Sequence, residues 1–135
     1  MLKRNILDTS GTSLEYHRDS RGSIVDIFYN EKIEHVTLVT SNPDSIRGNH
    51  YHKQTTQHML MMKGSLEYWY KPTNSTEDAK MVEVFAGDII TTEPNEIHAL
   101  KIGSKGNQFI VFTEGLRGGM DYESDTYRVE NIING

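Results

Sequence analysis

His50 and His52, in the stretch Arg47-Gly48-Asn49-His50-Tyr51-His52, are the residues of this chain with the most evident chemistry. On an extended strand, side chains at i and i+2 point to one face, so the two imidazoles stand about 7 Å apart along the strand. Imidazole is the commonest side-chain metal ligand and the group best poised to move protons near neutral pH. Gln57 follows shortly after the pair, and His98 comes much later. These two supply an oxygen and a third imidazole if the fold brings them to the pair. Three neutral imidazoles and an oxygen suit Zn, Ni, Mn or Fe; without a metal, the same imidazoles can act as general bases. The plainer alternative is two histidines facing solvent on one strand.

Convergence of that kind requires strands. Segments 24–29, 36–40, 46–52, 58–62, 66–70, 81–85, 89–92, 97–102 and 109–113 are rich in β-branched or aromatic residues. Turn signals separate them, among them Asn42-Pro43-Asp44, Lys63-Gly64-Ser65, Ala86-Gly87-Asp88 and Gly103-Ser104-Lys105-Gly106. Strands recurring at roughly 8 to 12 residues have the rhythm of an antiparallel sandwich or barrel. No long stretch carries a helical apolar period, and the polar residues of 74–79 favour a loop. A flexible loop over 114–119 and an acidic stretch over 121–125 lead to a last strand or extended arm at 127–133.

Parity refines the expectation. Ile46, Gly48, His50 and His52 share one face of a regular strand, and Arg47, Asn49 and Tyr51 share the other. A bulge at Gly48 is needed if Arg47 is to join His50. His58 points away from Gln57, toward a surface or an interface, while His17 and His35 read as ordinary surface histidines. In Tyr68-Trp69-Tyr70 the alternating aromatics either stack on a nucleobase or pack in a core.

Composition narrows the function. The chain of 135 residues is the size of one domain, spanning 1–135, with 36% hydrophobic and 24% charged residues. No run approaches the ~18 apolar residues of a membrane helix. The basic start Met1-Leu2-Lys3-Arg4 precedes no apolar segment of the signal-peptide kind, so a cytoplasmic protein is expected. With no cysteine, disulfides and thiolate metal sites are excluded. Net charge is −5 and the 14 Lys and Arg are scattered, which argues against a nucleic-acid partner. A single anionic metabolite needs only two or three local cations.

The spacing of these residues resembles the cupin superfamily across residues 19–113. Its first motif runs HxH, three or four residues, Glu, six residues, Gly; here it reads His50, His52, Gln57, Gly64, with Gln in place of Glu. Its second motif is approached by Gly87, Pro94 and His98, although Glu96 stands where a Gly is expected. Within cupins, Arg47-Gly48-x-His50 and Asp19-x-Arg21-Gly22 resemble stretches of dTDP-4-dehydrorhamnose 3,5-epimerases. The dTDP-hexulose 3,4-ketoisomerases share both and add a second histidine, as His52 does here. Residues 48–52 also resemble the GNHYH stretch of capsular-polysaccharide cupin domains, which bind metal with a Glu at the place of Gln57.

The resemblance implies an all-β, single-domain cupin, a jelly-roll-like antiparallel β-barrel that pairs as a homodimer. It also implies an isomerase or epimerase acting on a nucleotide-linked keto-hexose. His50 takes the place of the catalytic base and His52 of a second acid/base. Arg21 and Arg47 take the places of residues that contact the substrate diphosphate, and Tyr68 and Tyr70 are available to the substrate. No cofactor is required for that reaction. The alternative is a metal-binding cupin module in polysaccharide assembly, with His50, His52, Gln57 and His98 as ligands. The families' aspartate partner for the histidine and their tyrosine acid have no obvious counterpart in the sequence.

Overall fold

Two long strands carry the architecture. A computed structural model describes residues 1–115 and 120–134. In chain order the strands are β1 (Leu2–Asn5), β2 (Tyr16–Asp19), β3 (Gly22–Val25), β4 (His35–Ser41), β5 (Ile46–Tyr51) and β6 (Thr56–Pro72). There follow β7 (Lys80–Phe85), β8 (Asp88–Thr92), β9 (Glu96–Glu114), a short helix α1 (Met120–Ser124) and β10 (Tyr127–Arg128). Leu116 to Gly119 of the expected loop lie outside the described residues.

Every pairing is antiparallel. β6 and β9 pair along nearly their full lengths, and each takes different neighbours in its two halves. One layer therefore reads β4, the second half of β9, the first half of β6, β8, β1. The other reads β10, β5, the first half of β9, the second half of β6, β7. The hairpin of β2 and β3 forms a small sheet of its own. The two layers face each other across one core: Met59, Met61, Ile90, Phe109 and Val111 come from the first, and Leu66, Tyr68, Val84, Leu100 and Ile102 from the second. Burying each such side chain contributes about 1.5–3 kcal/mol.

This is the expected all-β, jelly-roll-like arrangement, but not a closed barrel. The hydrogen-bonded path begins at β1 and ends at β10, and no ladder among the described residues joins those ends. Two of the expected turns are corrected as well. Lys63-Gly64-Ser65 and residues 103–106 do not reverse the chain; they bend β6 and β9 where these cross from one layer to the other. The register shifts between Met61 and Lys63, and again between Gly64 and Leu66. Glycine turn signals thus mark sharp backbone geometry, which a bulged strand needs as much as a hairpin does. At the C-terminal end the expected strand shrinks to the two residues of β10, and the acidic stretch forms α1. No helix among the described residues is long and apolar enough to cross a membrane.

The bend is a testable constraint. Gly64 has φ of 82°, and a Cβ there would lie 2.3 Å from the carbonyl oxygen of Gly106. Backbone, not a flexible side chain, stands in the way. Gly64→Ala should cost about 2–4 kcal/mol, the sum of left-handed strain and overpacking. A urea-unfolding midpoint unchanged by the substitution would contradict this reading of the bend.

Candidate active site

The site begins with one unpaired residue in β5. Arg47 stands opposite Leu100 and Gly48 opposite Ala99, yet the next paired residue, His50, stands opposite His98. Asn49 is the extra residue of a bulge. Gly48 and Asn49 both adopt left-handed conformations, with φ of 85° and 56°. A side chain at Gly48 would also collide with the backbone, its Cβ 2.7 Å from the carbonyl oxygen of His98. Because Leu100 and His98 are two apart on a regular stretch of β9, their partners Arg47 and His50 lie on one face. The bulge thus removes the parity conflict. Asn49 is itself employed: its carbonyl accepts from Val129 N at 2.9 Å and its Oδ1 from Ile132 N at 2.9 Å, tying the C-terminal segment to β5.

Three imidazoles meet beside the bulge. Ring centroids are 4.9 Å apart for His50 and His52, 4.7 Å for His50 and His98, and 5.5 Å for His52 and His98. Their ring nitrogens approach within 4.8 Å of one another. His52 Nδ1 lies 2.7 Å from the carbonyl oxygen of Asp125, and His98 Nδ1 lies 3.1 Å from that of Glu96. A carbonyl only accepts, so each Nδ1 donates, and in the neutral ring the lone pair falls on Nε2. Burial holds His98 neutral, pushing it from 6.5 to about 4 despite the opposing bond to the Glu96 carbonyl. The ring of Tyr68 stacks on His98 at 6.1 Å.

The cluster opens into a cavity of about 320 Å³. His50, His98, Gln57, Arg47 and Tyr68 line it, so most of the residues singled out in the sequence do converge. Arg47 sits at the exposed rim, anchored by Nε to Ser41 Oγ at 2.9 Å and by Nη2 to the Thr40 carbonyl at 3.1 Å.

Other expected site residues lie elsewhere or in other states. Tyr68 lines the cavity but is 2% exposed. Its hydroxyl is bound to Thr92 and donates to Glu96 Oε1 at 3.0 Å. Burial, reinforced by the Glu96 carboxylate, pushes its phenol well above the ordinary value of 10. Tyr70 packs beside Tyr68 against the core and Arg21 is exposed on the β2–β3 hairpin, bound to Asp19 Oδ2 at 2.8 Å; neither belongs to the cavity wall of the described residues. His58 does face away from Gln57, but it is buried rather than at the surface. Phe28 covers it, and its ring nitrogens meet Thr91 Oγ1 at 2.8 Å and Glu114 Oε2 at 3.0 Å. His17 is exposed beside Asp19, and His35 is half-buried, bonded to Thr37.

Among the wall residues that were not foreseen are two from the C-terminal segment. Tyr122 on α1 lies 6.3 Å from the ring of His50 and 5.8 Å from that of His52, and Arg128 on β10 pairs with His50. The only local signal was a tyrosine within an acidic stretch. What brings them in is Asp125, whose carboxylate accepts from the backbone N–H of Lys53 at 2.9 Å and of Gln54 at 3.0 Å. A contact spanning some seventy residues has no periodic signature.

This geometry can be set beside known proteins. The model of the polysaccharide biosynthesis C-terminal domain family matches residues 17–115. The chain belongs to this family. No curated protein matches it. Among solved structures, a 3,4-ketoisomerase from Helicobacter canadensis superposes with a TM-score of 0.72 at 19% identity, over 96% of this chain and 92% of that one. The dTDP-4-dehydrorhamnose 3,5-epimerase from Sulfolobus tokodaii gives 0.69 at 14% identity, over 89% and 76%. The capsular polysaccharide assembling protein CapF from Staphylococcus aureus gives 0.65 at 19%, covering 90% of this chain but 34% of that one. At such identities the likeness is one of fold, and the fold is that of cupins.

The histidine cluster also fits a divalent cation. Neutral imidazoles whose Nε2 lone pairs are set by carbonyl bonds on the far nitrogen are the usual donors for borderline metals. Protonation would cost the protein its packing as well as that donor set. With a folded value near 4 against 6.5 in the unfolded chain, the unfolded state takes up the proton first. Stability should fall by about 3 kcal/mol as pH drops from 6.5 to 4 and level off below. Urea melts of the metal-free protein should show this slope, and His98→Gln should remove that share of it. An identical slope in the variant would contradict the assignment.

Proposed function

We propose that the protein is an isomerase or epimerase acting on a nucleotide-linked keto-hexose in surface-polysaccharide sugar biosynthesis. The observation that carries the reading is a cavity in which His50 and the neutral His98 lie beside an arginine-bearing rim. A protein of the same fold, the ketoisomerase QdtA from Thermoanaerobacterium thermosaccharolyticum, has been crystallised with TDP-4-keto-6-deoxyglucose, which supports that substrate class.

The proposed chemistry follows from the residues. A carbon next to a ketone loses its proton to a base whose ordinary pKa lies near working pH, and imidazole meets that requirement. His50, half-buried on the cavity wall, is assigned this role. The electron pair moves to the carbonyl oxygen, giving an enediolate. Returning a proton to the former carbonyl carbon, while the proton of the adjacent hydroxyl passes to the former carbonyl oxygen, completes isomerisation; returning it to the same carbon from the other face completes epimerisation. His52 and Tyr122 flank His50 and are assigned the proton's return. Arg47 and Arg128 give the wall two cations suited to a diphosphate.

A second reading is favoured by the nitrogens of His50, His52 and His98, which lie close enough to share one ion. These three would hold a divalent cation, with Gln57 as a neutral fourth donor. A bound cation would polarise the substrate carbonyl. Without an acidic ligand the affinity is expected to be weak. Gln57→Glu should therefore tighten Zn or Ni binding in calorimetric titration, because a carboxylate adds a full charge to the ligand set; unchanged affinity would remove Gln57 from that set.

For the enzyme reading, His50→Asn keeps a polar group of similar size but no base of suitable strength. Turnover of TDP-4-keto-6-deoxyglucose, followed by solvent-deuterium incorporation at the ring carbons, should fall about 10²- to 10⁴-fold with little change in sugar-nucleotide affinity. Absence of exchange in the unmutated protein, on this and related keto-sugar nucleotides, would sink the isomerase reading.

A further inference from the structure

One polar row of the interior has no part in that proton transfer. Thr92 on β8, Gln57 on β6 and Thr113 on β9 stand in register across three adjacent strands. Directly opposed residues share a face, so this row looks into the space between the layers. Gln57 and Thr92 line the cavity with His50 and His98. The rows that follow are apolar: Ile90, Met59 and Val111, then Met61 with Phe109.

Partners within the row are unevenly shared. The hydroxyl of Thr92 is committed to the phenol of Tyr68. Gln57 Nε2 and Thr113 Oγ1 are buried and have no hydrogen-bond partner among the described residues. An amide donor buried without an acceptor is costly. On a cavity wall shared with His50 and the neutral His98, that cost is relieved by an oxygen of the bound molecule.

We propose that Gln57 is a catalytic residue whose amide N–H donates to the sugar oxygen that becomes negative as His50 removes the neighbouring proton. The inference rests on the isomerase reading and specifies how the site stabilises its intermediate. The balance is simple. The C–H electron pair becomes the C=C bond of the enediolate, the carbonyl π pair moves onto oxygen, and the proton rests on His50 until it is returned. No electron leaves the substrate. A preorganised donor aimed at that oxygen stabilises the transition state more than the ground state. The identity of the residue matters here: a glutamate in this place would set a second negative charge against the enediolate, whereas glutamine offers two N–H groups and no charge.

The test uses TDP-4-keto-6-deoxyglucose and the full chain in the presence of a chelator, with thermal melts to confirm folding of each variant. Gln57→Ala should lose about 10²- to 10³-fold in kcat with little change in KM. Gln57→Glu, nearly identical in shape, should lose at least as much at about pH 8 and recover toward about pH 5 as its carboxyl takes up a proton and becomes a donor. If the unmutated protein exchanges protons and both variants stay within about threefold of it across that range, Gln57 is no donor and the proposal falls alone. If the unmutated protein exchanges nothing, the isomerase reading falls and takes this inference with it.

Discussion

Asn49, inserted into β5 without a partner on β9, sets the geometry on which the rest of the site depends. Regular alternation would place Arg47 and His50 on opposite faces, one toward the interior and one toward solvent. The bulge lets both face inward, at the modest cost of a left-handed asparagine beside a left-handed glycine. It also exposes polar groups of Asn49 that the C-terminal segment then binds, so the device that aims His50 also recruits Arg128 to the wall. The opposing layer contributes Gln57 and Thr92 from the first half of β6 and from β8, strands held there by the long pairing of β6 with β9.

Hydrogen bonds behind the imidazoles then decide what those rings can do. Asp125 binds the chain on both sides of the cluster: its backbone carbonyl takes the Nδ1 proton of His52, and its carboxylate takes two amide protons of the following turn. The same residue ends the turn that begins with Tyr122. Burial keeps His98 neutral, and the Glu96 carbonyl fixes its tautomer. The interior is thus rich in lone pairs, while the arginines stand on its wall and rim. Such a division suits a substrate with a charged diphosphate at one end and a neutral keto-sugar at the other.

Much of this was legible because strands carry a short period. The i, i+2 histidines, the apolar alternation around 97–102 and 109–113, and the need for a bulge at Gly48 all follow from side chains that alternate faces. That the sheet stays open was not legible. Glycine signals at Gly64 and Gly106 read as turns, since a tight hairpin and a bent strand make the same demand for positive φ. Arg21 was placed by a short motif alone, and nothing local shows that its hairpin forms a separate sheet. Tyr122 and Arg128 escaped because the contacts that bring them in are single hydrogen bonds between distant segments, not a pattern.

The central claim is that His50, His52 and His98 form one cluster, with His98 neutral, and that His50 and His98 face one ligand cavity. Long-range ¹H–¹⁵N spectra of the imidazoles at neutral pH, recorded with and without TDP, test it most directly. A neutral His98, with His52 and His98 carrying protons on Nδ1 and with His50 and His98 shifting together as the nucleotide is added, is the predicted result. A charged His98, or a nucleotide that binds while leaving His50 and His98 unmoved, would contradict the account.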